Sequence, residues 1–186
     1  MKVINYSSSI FIILMIQKIM IEPEKLLEFI KNRRSIRSFQ NTPIAEDAIE
    51  MILEAARWTP SASNKQPWEF IVIKDRELLQ NVATNAINGK FVKRAPLAIA
   101  IVGKKDINPK WYVIDTSLVS MNMMLMAWSL GIGTCWIGSM DREKAKEILK
   151  LNDNDYLLTI LPFGYLKGAI PKPTLRKPIE ELKKEM

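Results

Sequence analysis

Apolar residues recur along the chain with two alternating periods, which predict helices and strands in turn. Spacings of three and four in residues 26–30 and 44–56 predict two helices, and Pro23 fits the first turn of the first one. The run Trp-Glu-Phe-Ile-Val-Ile over residues 68–73 predicts a strand. Residues 97–102 form an unbroken apolar run, as expected for a strand that is buried on both faces.

The second half of the chain continues this alternation. Asp75 is a suitable N-cap for a third helix that ends near residue 86. The remaining predicted elements are a long helix over residues 115–130, a strand entered through residues 131–138, a short helix over residues 141–150 and a strand over residues 156–165. Strands that alternate with helices indicate an α/β or α+β domain.

The long helix is apolar around most of its circumference. Leu118, Met121, Leu125 and Trp128 lie in register, and methionines also occupy its other faces. A helix of this kind is either fully buried in the core or shared between two subunits. The pattern leaves both interpretations open.

Residues 1–20 do not fit the pattern of the domain that follows. Their apolar run, residues 10–16, is too short to span a bilayer, which takes about 20 apolar residues. Three interpretations remain: an arm packed on a partner, a weak membrane-surface segment, or a translated leader with the functional start at Met20. A leader or arm is favoured over the membrane, and the domain is predicted to span residues 21–186.

Composition narrows the possible chemistry. The 186 residues include no histidine and a single cysteine, Cys135. This excludes histidine-dependent nucleophilic catalysis, zinc sites with histidine ligands, an internal disulfide and Cys-rich clusters. We therefore expect no metal site, and Cys135 fits best as an apolar core residue. The net charge of +7 suits an anionic ligand, a nucleic acid or neither, and does not choose among them.

A basic segment, residues 33–37, follows the first predicted helix. Arg33, Arg34 and Arg37 supply three guanidinium groups, and Ser35 adds a hydroxyl donor. Arginine binds phosphate in a bidentate manner, so the segment is a candidate anion site. A solvated basic helix end is the alternative interpretation.

A second basic stretch lies near the C-terminus, at Arg176 and Lys177. It is able to complete an anion site with residues distant in sequence. A plain basic tail is the alternative interpretation.

A polar loop, residues 61–66, lies between Pro60 and Pro67 and precedes the first predicted strand. Asn64 and Gln66 both donate and accept hydrogen bonds, so they suit a heterocycle edge that carries both kinds of group. A turn in which Ser and Asn cap the backbone is the alternative. That alternative leaves Gln66 and Trp68 without a role.

Glycines are frequent just after the long helix, at Gly131, Gly133 and Gly138. They predict that a flat ligand approaches the backbone closely. The spacing differs from that of the dinucleotide-binding fingerprint, and the glycines follow a helix rather than a strand. A helix stop at Gly131 is the alternative, and it accounts for one glycine but not for all three.

Together these segments resemble the nitroreductase family of FMN-dependent oxidoreductases. The motifs are, in order, Arg-Arg-Ser-Ile-Arg-x-Phe, Pro-Ser-Ala-Ser-Asn-x-Gln-Pro-Trp, Leu-Gly-Ile-Gly-Thr-Cys-Trp-Ile-Gly and a C-terminal Arg-Lys-Pro. The resemblance covers about residues 22–182. It implies a three-layer α+β fold with a mainly antiparallel central sheet flanked by helices. It also implies an intertwined homodimer with FMN sites at the interface.

The resemblance further implies which residues bind FMN, with part of the polar loop acting from the partner subunit. By position these residues are Arg33, Arg34, Ser35, Arg37, Ser61, Ala62, Ser63, Asn64, Gln66, Ile137, Gly138, Arg176 and Lys177. The missing histidine is no obstacle, because the flavin N5 atom carries the hydride while the protein supplies position and charge. Arg37 is expected to stabilise the reduced flavin electrostatically.

The predicted activity is ping-pong transfer of a hydride from NADH or NADPH, through bound FMN, to a nitroaromatic, quinone or similar electron-poor acceptor. The segments after Asn88 and Gly103 are short, which predicts an open acceptor pocket without a helical lid. We expect a cytoplasmic homodimer with no nucleic-acid or membrane partner; a single cysteine fits a reducing compartment. The alternatives are a specialised flavin enzyme of the same family, a membrane-tethered enzyme, and a basic nucleic-acid-binding protein.

Overall fold

The structure is a computed structural model, and it describes residues 21–186. The predicted leader or arm, residues 1–20, lies outside the described residues. The chain divides into two units, one ending at Arg33 and the other beginning at Arg34.

The described part of the first unit is helix α1, Pro23–Asn32. Pro23 lies in the first turn, where its missing N–H removes no helical hydrogen bond. Glu24 in the first turn and Lys31 in the last turn match the direction of the helix dipole. The first predicted helix is therefore present.

The second unit alternates helices with strands, as the sequence pattern predicted. Its helices and strands are α2 Glu46–Arg57, β1 Trp68–Ile73, α3 Arg76–Asn85, β2 Leu97–Lys104, α4 Tyr112–Ser129, β3 Ile132–Thr134, α5 Arg142–Ile148 and β4 Asp155–Tyr165. Short 3₁₀ turns, which the pattern did not predict, occur at Ala62–Asn64, Lys90–Arg94 and Ile179–Glu181.

The strands form one sheet in the order β1-β2-β4-β3, and every neighbouring pair is antiparallel. β1 pairs with β2 along its whole length. The pairing of β2 with β4 shifts between Ile101 and Val102, which leaves Leu158 of β4 as an extra residue in a bulge. The predicted α+β class with an antiparallel central sheet is confirmed.

Strand β2 is buried on both faces, as its unbroken apolar run predicted. The odd-numbered residues from Leu97 to Ile101 pack with residues of α2 and α4. The even-numbered residues from Ala98 to Val102 belong to the opposite cluster, which includes residues of α3 and α5. Helices therefore cover the sheet on both sides and give three layers. Burial of these apolar side chains is the main stabilising contribution to the fold.

Aspartate N-caps begin two of the helices. Asp75 Oδ1 accepts a hydrogen bond from the Leu78 N–H at 2.7 Å, which starts α3 as predicted. Asp141 Oδ1 accepts from the Lys144 N–H at 3.2 Å and starts α5.

Helix α4 begins at Tyr112, three residues before the predicted start at Asp115. The Asn108 carbonyl accepts the Tyr112 N–H at 3.1 Å and the Trp111 N–H at 3.3 Å. This turn satisfies backbone donors that would otherwise be unpaired at a helix start, so the helix extends back to it.

Backbone conformation and packing within the chain explain why two of the three positions after α4 are glycine. This corrects the expectation that a flat ligand accounts for all three. Gly131 ends the helix with a left-handed φ of 72°. A Cβ on Gly133 would lie 2.6–2.8 Å from three side-chain atoms of Ile36, a residue that is fully buried. Gly133 is therefore required for close packing of residue 36 on β3.

Replacement of Gly133 by alanine should lower the free energy of unfolding by about 1–3 kcal/mol, because the added methyl group overpacks this contact. Denaturant unfolding measures the change, with Lys172→Ala in the exposed C-terminal segment as the control. A loss of less than about 0.5 kcal/mol, the usual range for surface substitutions, would contradict the packing explanation.

Candidate functional site

The basic segment is fastened to the sheet through strand β3. Ser35 pairs with Thr134 as an isolated parallel bridge, and the Ile36 N–H donates to the Thr134 carbonyl at 2.9 Å. Ser35 is half-buried and Arg37 is exposed on either side of the buried Ile36. The first and third sequence motifs are thereby brought together.

The arginines of the basic segment have different surroundings. Arg37 is exposed, and its Nη1 makes a long contact of 3.5 Å with the Ser35 carbonyl. Arg34 Nε donates to the Pro171 carbonyl at 3.1 Å, so the C-terminal segment passes beside it. Arg33 belongs to the first unit, where it is the C-cap of α1.

The C-terminal basic residues do not reach Ser35 or Arg37 in the described chain. Arg176 Nη1 donates to Thr174 Oγ1 and to the carbonyls of residues 174 and 175, within its own segment. Both Arg176 and Lys177 are exposed. Their predicted role at a phosphate stays a prediction.

The turn at Ile137 and Gly138 is held by two internal donors. Thr159 Oγ1 donates to the Ile137 carbonyl at 3.0 Å, and Arg142 Nη2 donates to the Gly138 carbonyl at 3.1 Å. Thr159 and Ile137 are buried, whereas Gly138 is half-buried. The Gly138 backbone is therefore the part of this turn that a ligand can approach. Sequence reasoning missed Thr159 and Arg142, because each lies in an element whose pattern already had a structural explanation.

The polar loop carries an unusual backbone. Ser63, Asn64 and Gln66 have φ angles of 53°, 52° and 49°, in the left-handed region. For residues other than glycine this conformation costs roughly 1–2 kcal/mol each, and Asn tolerates it best. Such strain persists where surrounding contacts hold it, and it concentrates at ligand sites.

Contacts inside the loop account for part of its shape. Ser61 Oγ accepts the Gln66 N–H at 2.9 Å, and the Ser61 carbonyl accepts the Asn64 N–H at 2.9 Å. The Gln66 amide lies 3.3 Å from both the carbonyl and Oδ1 of Asn64. Ser63, Asn64 and Gln66 are exposed, so their polar atoms face outward from a fixed turn.

Two polar side chains of helix α4 form hydrogen bonds that hold the polar loop and the residue before Pro60. Asp115, only 3% exposed, accepts the Ala62 N–H at 3.2 Å. Asn122 Nδ2 donates to Thr59 Oγ1 at 2.8 Å. Sequence reasoning used Asp115 only as a helix start. The signal that could have found it is a carboxylate within an otherwise apolar helix.

An exposed cluster precedes the polar loop at the end of α2. Glu54 accepts hydrogen bonds from Arg57 and, at 2.7 Å, from Trp58 Nε1. These bonds, with the Arg57 hydrogen bond the larger cause, lower the pKa of Glu54 to about 2. The carboxylate therefore stays ionised at neutral pH and fixes Trp58, which is 74% exposed.

The polar loop and the β3 cluster, meaning residues 35–37 with residues 137–138, are separate within one chain. No hydrogen bond among residues 21–186 joins the loop to Ser35, Arg37 or the 137–138 turn. Helix α4 also exposes an apolar stripe along its outer side. Its members, 39–49% exposed, are Ile114, Leu118 and Met121, and the N-cap residue Trp111 is exposed beside them. The long helix is therefore a core helix on one side only.

The described residues hold neither a metal-binding cluster nor a membrane-spanning helix. Within residues 21–186, no group of three or more Cys, Asp or Glu is arranged to hold a metal ion. No helix in that part of the chain is long and apolar enough to cross a membrane.

Comparison with known proteins decides the family. The sequence profile described as the nitroreductase family matches residues 30–89 and 80–165. The chain belongs to the nitroreductase family. A relative from Methanothermobacter thermautotrophicus, provisionally named an NADH dehydrogenase/NAD(P)H nitroreductase, is 37% identical over 146 residues, covering 75% of this chain and 76% of the relative. The resemblance drawn from the four motifs is confirmed.

Solved structures of other members of the nitroreductase family show the same fold. An FMN-dependent nitroreductase from Clostridium difficile R20291 has a TM-score of 0.72 and 32% identity, covering 79% of this chain and 90% of that one. A nitroreductase family protein from Clostridium difficile 630 has a TM-score of 0.78 and 31% identity, covering 84% and 95%. The nitroreductase fold predicted from the motifs is confirmed.

Proposed function

We propose that this nitroreductase-family chain is an FMN-dependent oxidoreductase that uses NADH or NADPH to reduce nitroaromatics, quinones or similar electron-poor acceptors. The observation that carries the proposal is the pairing of Ser35 with Thr134, which sets the basic segment against the glycine-containing segment 131–138. The family and its FMN-dependent member from Clostridium difficile support the same cofactor. When bound, FMN supplies the two-electron carrier that these side chains lack.

The basic segment fits the phosphate of FMN. Among residues 21–186, no carboxylate pairs with Arg37, so its guanidinium is available to an anion. Ser35 lies two residues away on the same extended strand and adds a hydroxyl donor. Arg37 is proposed to face the N1–C2=O edge of the flavin ring, where negative charge develops on reduction, and Ser35 is proposed to bind the phosphate dianion. Arg33, Arg34, Arg176 and Lys177 are proposed to complete this site.

The remaining groups fit the flavin ring. The exposed amides of Asn64 and Gln66 can donate hydrogen bonds to the pyrimidine edge and accept them from it. The neighbouring loop residues proposed to contact the flavin are Ser61, Ala62 and Ser63. The backbone of residues 137–138 can lie beside a flat ring, since Gly138 is half-buried and carries no side chain. A flavin ring requires hydrogen-bonding groups at its pyrimidine edge and a flat surface against its face, and these residues offer both.

A homodimer would bring the loop of one copy to the β3 cluster of the other. The two polar groups are not joined within one chain, and α4 exposes an apolar stripe that a second copy can bury. The C-terminal segment also exposes apolar side chains, with Leu175 at 99% and Leu182 at 64%. Apolar patches left exposed in this way mark interaction sites.

Short connections favour an open acceptor pocket. Only residues 105–111 join β2 to α4, and a 3₁₀ turn at Lys90–Arg94 leads directly into β2. A single open face on the cofactor can serve the nicotinamide and then the acceptor, which is the basis of a ping-pong mechanism. A cytoplasmic location remains part of the proposal.

Steady-state kinetics of the flavin-loaded protein test the activity. NADH and NADPH are varied against a quinone, a nitroaromatic and free flavin at several fixed concentrations. The proposal predicts turnover with more than one acceptor and parallel double-reciprocal lines. Intersecting lines would contradict the ping-pong order. If none of the three acceptors is reduced, the proposed activity is contradicted. Turnover with one acceptor alone would favour a specialised enzyme of the family.

Substitution of Arg37 by glutamine tests its electrostatic role. Loss of this cation should make the two-electron midpoint potential of the bound flavin more negative by on the order of 30 mV, equivalent to about 1.4 kcal/mol. Arg37→Lys, which keeps the charge, is the matched control and should shift the potential less. Equal potentials for wild type and Arg37→Gln, measured by dye-coupled reduction, are the result that excludes the role.

A further inference from the structure

We infer that Asp115 and Asn122 of helix α4 are positioning residues that hold the polar loop in the strained conformation in which it meets the flavin. The identity of the ligand rests on the proposed function. The contacts between the helix and the loop rest on geometry alone, so the two can be tested separately.

Asp115 is the one charged residue of α4, and it is 3% exposed. A buried carboxylate is costly unless hydrogen bonds compensate for its lost hydration. Here the Ala62 N–H donates to Oδ1 at 3.2 Å, and Asn108 Nδ2 lies 3.5 Å from Oδ2. A buried carboxylate in an otherwise uncharged helix indicates a specific structural role. Of the two hydrogen-bond partners of Asp115, the nearer is Ala62 of the polar loop.

The position of the contact on the loop explains what it does. Ala62 begins the 3₁₀ turn Ala62–Asn64, and the preceding Ser61 makes no side-chain cap of its own for that turn. The first N–H groups of a helical turn lack partners within the turn. Asp115 therefore caps the turn from outside with a charge-assisted hydrogen bond. The left-handed residues Ser63 and Asn64 follow directly.

Asn122 provides a second attachment on the other side of Pro60. It lies seven residues after Asp115, two helical turns further along the same face of α4. Its Nδ2 donates at 2.8 Å to the hydroxyl of Thr59, a residue only 4% exposed. The chain is thus fixed at Thr59 and again at Ala62, and the loop cannot shift along α4 without breaking both bonds.

These two buried hydrogen bonds hold in place a loop whose own side chains are exposed rather than packed in the core. Ser63, Asn64 and Gln66 are all exposed, so packing does not explain why their backbone is held in an unfavourable conformation. The same helix carries the exposed stripe Ile114, Leu118 and Met121. One rigid element therefore connects the loop to the surface proposed to meet a second copy, and it fixes where the loop enters that copy's site.

Hydrogen exchange in the flavin-free protein tests the attachment without reference to any ligand. Asp115→Leu removes the acceptor and keeps the number and branching of the side-chain heavy atoms. Asp115→Asn keeps an oxygen acceptor, and Ser117→Ala removes a hydroxyl of α4 that bonds only within the helix. We expect the amides of residues 62–66 to exchange about tenfold faster or more in Asp115→Leu. They should exchange within about threefold of wild type in Asp115→Asn and Ser117→Ala.

Flavin titration then tests the purpose of the attachment. Asp115→Leu should weaken FMN binding by about tenfold or more and alter the visible circular dichroism of the bound flavin. Asp115→Asn should keep both the affinity and the spectrum close to those of wild type. Unchanged loop exchange in Asp115→Leu overturns the attachment. Faster exchange with unchanged FMN affinity overturns its role toward the flavin.

Two outcomes separate this inference from the proposed function. If wild type binds no FMN, the proposed function fails, whereas the exchange experiment still decides the attachment. If Asp115→Leu does not fold, Thr59→Val and Asn122→Leu remove the second attachment and are measured in the same two ways. Loop exchange and FMN affinity equal to those of wild type in both variants would contradict the inference.

Discussion

Burial of the central strands on both faces is the constraint on which the rest of the structure depends. β2 is covered by α2 and α4 on one side and lies in the cluster of α3 and α5 on the other. The central strands β2 and β4 therefore offer no exposed face on which a ligand can lie. The candidate binding groups lie instead at strand ends and connections, namely the basic segment, the 137–138 turn and the polar loop.

Helix α4 shows how one element serves core, site and surface. Its inner side carries Val119, Met123 and Ala127 into the core. Asp115 and Asn122 hold the polar loop, and the stripe that includes Leu118 remains exposed. The combination explains why the sequence pattern of this helix suggested both a core helix and a shared one. The core interpretation is confirmed for the inner side, and the shared interpretation stays a prediction for the exposed side.

The sequence predicted the fold well where local chemistry determines it. Asp75 caps α3, and the apolar run 97–102 became the doubly buried strand. The glycines were interpreted less well. Close packing of Ile36 on Gly133 depends on a contact across about a hundred residues, which no local spacing reveals.

The candidate site was predicted by motif, and the structure does not join all of its parts by hydrogen bonds within the described residues. The polar loop and the β3 cluster make no hydrogen bond with each other, and Arg176 bonds within its own segment. Sequence reasoning also missed Asp115, because its role appears only when α4 packs beneath the loop. Residues whose partners are distant in sequence, or belong to a second copy, carry no periodic signal of their own.

The central claim is that two copies of this chain together bind FMN. Sedimentation velocity recorded both at the visible flavin band and at the protein band tests it most directly. The claim predicts that bound flavin moves only with a species of twice the chain mass, at one flavin per chain. Flavin that moves with a species of single-chain mass, or that does not move with protein at all, would contradict it.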